Sequence, residues 1–310
     1  MSLFFVLTNW IVLEQLLSNC ILCPHQCAVN REKGQLGFCN LDSGLHIANI
    51  SLHKGEEPIE GSENGVCNVF FSHCNLRCCY CQNYQISQPY SVIVGEIISY
   101  EIAVEQIIHI LKQDVNYIGF VSPTSHIPQM IRIIELIHEK GFYPKIIYNT
   151  NSFETVSTLR LLENVVDIYL PDFKYADDSL AMRYSGISNY SNIALAAIKE
   201  MYRQKKDVIS DKNPALIIRH LVLPNHIDNS LQVLQLIAKE CSTNVFISLM
   251  SQYFPVYKAQ NDNMINRTLT KQEYDVVLKS LDDLGFDYGW TQLLESNDYY
   301  QPDFSKQNPF

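Results

Sequence analysis

A surplus of positive charge is missing from this chain. Lys and Arg number 23 against 33 Asp and Glu, a formal net charge of −10. Binding a phosphate backbone takes a basic surface, so a general nucleic-acid binder is disfavoured. Long hydrophobic runs are missing as well. The apolar opening, residues 1–13, is too short to span a bilayer. It also lacks the basic n-region and small-residue cleavage site of a secretory signal. We read it as a packing helix that continues through Glu14 to Leu17. There are no internal repeats and no low-complexity linkers. Gly and Pro, at 12 each, are too few for a disordered chain. The 310 residues can bury one large core or two modest ones. Cysteine, by contrast, is plentiful, with ten residues. Without a signal, a reducing cytoplasm is expected, where cysteines hold metals more often than they form disulfides.

Three of the ten fall within Cys74-Asn75-Leu76-Arg77-Cys78-Cys79-Tyr80-Cys81, at the spacing C-x3-C-x2-C. Thiolates are the usual ligands of iron–sulfur clusters. A cubane held by Cys74, Cys78 and Cys81 keeps one iron open for another ligand. A structural zinc site, with Cys79 or His73 as the fourth ligand, is the first alternative, and a disulfide cluster the second. Cys79 directly adjoins Cys78, so its side chain is expected to point elsewhere and pack.

From residue 66 the pattern alternates between β-rich runs and helical periodicity. Strands are predicted at Val66–Phe71, Tyr117–Val121, Lys145–Tyr148, Val165–Leu170, Leu216–Leu223 and Val245–Leu249. Helices follow them, one stopped by Gly141, one capped by Asp228, and the last opened by a Thr270/Glu273 capping box. Buried strands alternating with helices imply a parallel α/β sheet, either doubly wound or closed into a barrel. We divide the chain into a cysteine-rich N-terminal segment (1–65), a β/α body (66–295) and a short polar tail (296–310).

The cysteine loop resembles the signature of the radical S-adenosylmethionine (radical SAM) enzymes. That resemblance implies a partial (β/α)6 barrel, a [4Fe-4S] cluster on Cys74, Cys78 and Cys81 with Tyr80 beside it, and S-adenosylmethionine on the open iron. It also implies reductive cleavage to a 5′-deoxyadenosyl radical that abstracts hydrogen from a substrate. In barrels the chemistry sits at the C-terminal strand ends. After the second predicted strand, Gly119-Phe120-Val121-Ser122-Pro123-Thr124 stands where many radical SAM enzymes carry Gly-Gly-Glu-Pro. Ser122 and Thr124 then remain to accept from the S-adenosylmethionine ammonium. Gly55-Glu56-Glu57-Pro58 imitates that motif but precedes the cluster loop, and we read it as a turn. Asn149-Thr150-Asn151-Ser152 and Asp172-Phe173-Lys174 resemble segments of pyruvate formate-lyase-activating enzymes that lie beside the S-adenosylmethionine carboxylate and a monovalent cation. Asn149, Thr150 and Asp172 become candidate contacts, with Lys174 nearby; a plain salt bridge is the alternative for Asp172 and Lys174. Arg219 and Leu221 match positions lining the adenine pocket. An Arg in an apolar strand needs a carboxylate or a ligand. His220 should face the opposite way and be structural.

The wider match is to an uncharacterised radical SAM group related to pyruvate formate-lyase-activating enzyme (PflX-type). Its implied partners are a glycyl-radical protein substrate and an electron donor such as flavodoxin or ferredoxin. A radical enzyme acting on a small molecule or another protein is the rival, and a non-enzymatic iron–sulfur or zinc protein the third reading. Cys20, Cys23, Cys27 and Cys39 offer a further four thiolates, for zinc, a second cluster or nothing. Cys67 and Cys241 are expected to be packing residues.

Overall fold

The computed structural model describes residues 15–55, 57–59, 61–90, 97–210, 214–298 and 301–310. The apolar opening and Glu56 lie outside them, although residues 15–18 are helical. Among the described residues, no helix is long and apolar enough to cross a membrane.

Among the described residues, eight strands follow one another in chain order, five in one sheet and three in a second. They are β1 (Ile47–His53), β2 (Val66–Phe71), β3 (Tyr117–Val121), β4 (Lys145–Thr150), β5 (Ile168–Pro171), β6 (Ile217–Leu221), β7 (Phe246–Met250) and β8 (Gly289–Thr291). β2 through β5 are parallel, as are β6 through β8. Two parallel bridges, Tyr169 to Leu216 and Asp172 to Arg219, join the two groups. Right-handed crossovers through outer helices are what parallel neighbours require. The helices Tyr100–Leu111, Ile127–Glu139, Val156–Leu161, Tyr190–Lys205, Ile227–Glu240 and Lys271–Asp283 supply them. β2 to β7 with these helices form the partial (β/α)6 barrel.

The central strands are buried on both faces, which is why β2, β3 and β7 read as mostly apolar runs, interrupted only by Asn68 in β2 and Ser248 in β7. Gly119 in β3 is needed for one close approach. A Cβ there would come 2.1 Å from Oδ1 of Asn68 on β2. Outside, Ala103, Val104, Ile107 and Met130, Ile133, Ile134, Ile137 turn the apolar stripes of two helices onto the sheet.

The structure differs from the sequence reading in several places. A strand, β1, precedes the run taken as the first, and pairs antiparallel with it. Residue 65 therefore lies in the turn between two paired strands, and residues 47–53 share a sheet with the body. Two helices, Asp178–Ser185 and Tyr190–Lys205, fill the stretch between β5 and β6. β8 extends the sheet beyond the last predicted strand. Asp228 is not the cap of its helix. His226 holds that position, and Asp228 sits in the first turn, where a carboxylate still favours the positive end of the dipole. The Thr270/Glu273 capping box is present.

Candidate active site

β2 delivers the chain into the cysteine loop. Cys74, Cys78 and Cys81 all line one cavity of about 310 Å³ at the C-terminal strand ends. Each sulfur has a nearby polar group. The Leu76 N–H donates to Cys74 Sγ at 3.4 Å, Ser185 Oγ lies 3.0 Å from Cys78 Sγ, and Ser87 Oγ 3.2 Å from Cys81 Sγ. Burial pushes the Cys74 thiol up to about 12 and Cys81 to about 11, with Cys78 adding repulsion to both. Three thiolates in one desolvated pocket are tolerable only against a cationic group. Among the described residues, no three His, Cys, Asp or Glu side chains are gathered tightly enough to hold a single metal ion. A cubane does not need that, because each thiolate takes a separate iron. Three thiols opening on one cavity fit the donor set of such a cluster.

Cys79 is absent from the cavity lining. Its N–H donates to Tyr184 O and its carbonyl accepts from Ala259 N, and its half-buried side chain packs against the core. Tyr80 lines the cavity, and its hydroxyl meets that of Tyr175 at 2.6 Å. Tyr175 in turn meets Ser185, the partner of Cys78.

The next four strands bring their ends to the same cavity. Ser122 lines it in the left-handed conformation (φ 54°), its N–H donating to Asn149 O. Thr124 does not reach it. Its hydroxyl instead donates to Glu154 at 2.7 Å, because the 3₁₀ turn at Pro123 rotates it into the interior. Asn149, Thr150, Asp172, Lys174, Arg219 and Leu221 all face the cavity. Arg219 Nε donates to Asp172 at 2.9 Å, its Nη2 donates to Asn149 at 2.7 Å, and Lys174 Nζ donates to Asp172 at 2.6 Å. Burial alone would raise the Asp172 carboxyl. Arg219 and Lys174 outweigh it and hold the group below the usual carboxylate range. Burial likewise opposes the Lys174 ammonium, but Asp172 and Cys78 hold it above its ordinary value. His220 points away, bonded to Phe173 O and Ser230 Oγ, and burial lowers it to about 4. It is a neutral structural residue.

Several lining residues escaped the sequence reading. Gly55, Glu57 and Pro58, taken there as a turn, form part of the wall. So do Gln82 and Gln292, which bond to Gln252 across the cluster loop and the ends of β7 and β8; Gln252 belongs to the stretch Met250–Pro255 that the sequence places at the rim of the cavity. Pro302 and Phe310 close one flank. Phe304 is buried against Phe70, so the segment taken as a polar tail is anchored by aromatic rings.

Glu154 is the least expected buried group. Thr124, Tyr148 and Thr150 all donate to its Oε1. Burial raises its carboxyl to about 7 despite them. The unfolded chain ionises this group from about pH 4.5, while the folded chain keeps it protonated to near 7. Folding stability from this residue is therefore full below pH 4.5 and falls by roughly 3 kcal/mol by pH 7 to 8. Glu154→Gln keeps the acceptor and removes the titration. The stability advantage of wild type over this variant should shrink by that amount between pH 5 and pH 8. Urea unfolding at both ends of the range measures it, and a constant gap would refute the assignment.

In the N-terminal segment, burial raises the Cys23 thiol, and Cys39 and Cys20 lie close enough to add repulsion. Cys27 Sγ accepts from the Phe38 N–H at 3.3 Å. As elsewhere among the described residues, these four thiols do not form a set tight enough for one metal ion. Cys67 is a buried strand residue and Cys241 a half-buried helix end.

A sequence profile of the radical SAM superfamily matches residues 68–237, more than half of the chain. The uncharacterized protein MJ0674 of Methanocaldococcus jannaschii is 32% identical over 277 residues, which cover 86% of this chain and 75% of that protein. Among solved structures, native anSMEcpe with bound AdoMet is similar at a TM-score of 0.50 and 17% identity, over 70% of this chain and 59% of that one. Streptococcus suis SuiB bound to S-adenosylmethionine is similar at 0.51 and 12%, over 73% and 50%. The chain spans between a half and three fifths of those two structures, and the likeness is one of fold.

Proposed function

The chain belongs to the radical SAM superfamily, which uses a [4Fe-4S] cluster and S-adenosylmethionine, and on that premise we propose that it cleaves S-adenosylmethionine reductively and abstracts hydrogen from a substrate. One observation carries the reading: the three loop thiols open onto the same cavity as the Asn149–Arg219–Asp172–Lys174 network. Cys74, Cys78 and Cys81 would hold the cluster. When bound, cluster and S-adenosylmethionine together supply the electron and the 5′-deoxyadenosyl radical.

The chain's own residues supply placement. Ser122 and Asn149 present polar atoms for an amino-acid moiety. Lys174 and Arg219 fix Asp172 in its ionised form, so the cavity keeps a constant charge pattern at neutral pH. Leu76, Met250, Trp290 and Phe310 give the cavity an apolar lining that limits water around a reactive species.

For the substrate, glycyl-radical activation comes first. It is supported by the meeting of the activase-like segments Asn149–Asn151 and Asp172–Lys174 in this cavity. The partner is then a protein with a glycine-bearing loop, and the donor a low-potential flavodoxin or ferredoxin. A second reading, a small-molecule substrate, is favoured by Pro302 and Phe310, which narrow the flank where a loop would enter. Anaerobic, cluster-reconstituted protein with dithionite and S-adenosylmethionine should release 5′-deoxyadenosine. None from protein with an intact cluster refutes the proposal. Electron paramagnetic resonance of mixtures with candidate glycyl-radical proteins decides between the two substrates.

A further inference from the structure

Two buried amides connect the cluster loop to the end of β4. Asn151 Nδ2 donates to Asn75 Oδ1 at 2.8 Å and to Cys74 Sγ at 3.3 Å. Backbone groups fix the orientation of both amides. The Phe153 N–H donates to Asn151 Oδ1 at 2.9 Å, and Asn75 Nδ2 donates to Phe153 O at 2.8 Å. Neither amide can flip without giving up a backbone bond, so the N–H aimed at Cys74 is set by the fold. Asn75 is 1% exposed and Asn151 6%, which keeps competing water away. The Cys74 sulfur thus receives two donors, the Leu76 N–H within its own loop and a side chain from another strand.

A hydrogen bond to a cluster sulfur draws charge from it and favours the reduced cluster. We propose that Asn151 is a positioning residue that raises the reduction potential of the cluster through Cys74, with Asn75 holding its amide in place. The inference rests on the proposed function, since it needs a cluster on Cys74. It adds a role for the third residue of the Asn149–Asn151 segment. All three line the cavity, and this one alone among them has its amide on a cluster-loop sulfur.

The test is a redox titration of the reconstituted full-length chain, followed by electron paramagnetic resonance of the reduced cluster. Asn151→Leu removes the donor. Asn151→Asp keeps an oxygen for the Phe153 N–H and replaces the donor with a carboxylate oxygen. At a fixed solution potential near the midpoint, both variants should show a reduced-to-oxidised ratio about tenfold lower than wild type, a fall of 59 mV for one electron. Iron and sulfide content should match wild type. An unchanged midpoint in variants with full clusters overturns the proposal. So does failure of both variants to assemble a cluster that wild type assembles, because the amide would then serve assembly alone. A wild type that binds no cluster strikes at the proposed function itself, and is seen before any variant is compared.

Discussion

Replacing Cys78 by alanine should strip the chain of its iron–sulfur absorbance and bring 5′-deoxyadenosine formation down to background. Cys78 is the middle ligand of the loop, 8% exposed, and the only loop thiol whose neighbour, Ser185, lies in a further hydroxyl chain through Tyr175 to Tyr80. A cubane left with two protein thiolates has two unheld corners, and among the described residues no other cysteine lines the cavity. Cys79 is adjacent in sequence, but its backbone is bonded on both sides to Tyr184 and Ala259. Cys79→Ala should therefore keep full iron, full sulfide and turnover. The pair of variants is decisive together. Turnover surviving in Cys78→Ala, or lost in Cys79→Ala with a folded chain, would mean that the ligands are misassigned. Iron and sulfide analysis beside product formation gives the answer.

The second large effect is expected at Asp172. Its carboxylate is the common partner of Lys174 and Arg219, all three largely buried. Asp172→Ala leaves two cations facing each other in a desolvated cavity. Breaking a buried pair by removing one partner costs about 3–5 kcal/mol, so urea unfolding at pH 7 should register a loss in that range. The loss should depend on pH in a definite sense. The Asp172 carboxyl is held below its ordinary value in the folded chain, so its contribution is full above the unfolded value near 4 and fades as the solution is acidified below it. Wild type and variant should then converge in acid. A gap that stays constant there would show that folding does not depress the Asp172 carboxyl, and one that widens would show that folding raises it. Because Arg219 also holds Asn149, the variant should bind S-adenosylmethionine more weakly as well.

The barrel was readable because its buried parallel strands are short, mostly apolar runs rich in Val, Ile and Phe, as in Val66–Phe71 and Phe246–Met250. The cluster loop was readable because metal ligation leaves a local spacing in the chain. Elements that pack on one face only were harder. In β1, alternate residues are half-buried, and its Asn, Ser and His resemble turn residues. The helix Tyr190–Lys205 turns small residues, Ala194 and Ala197, onto the core and gives a weak apolar stripe. β8 is three residues long and half-exposed. Site residues were legible where a strand end presents them, as at Asn149 and Asp172. Thr124 misled because a 3₁₀ turn, which follows Pro123, carries it off the line of its strand. Glu154 could not have been found by spacing, since its three donors come from two separate stretches of chain. Glu57 illustrates the converse case. Read as a turn, it forms cavity wall only because β1 folds back onto β2.

One wall of the cavity is built differently from the rest. The strands around it are held by ladders within each of two groups, with two bridges between β5 and β6. Residues 301–310 belong to no ladder. They are held by the Phe304 N–H on Gln85, the Asn49 amide on Gln307 O, and stacking of Phe304 and Phe310 on Phe70. These few local contacts, rather than a strand ladder, fix that side of the cavity. The width of the cavity on this flank is therefore set by aromatic side chains on a short strip of chain, and not by the bore of the barrel.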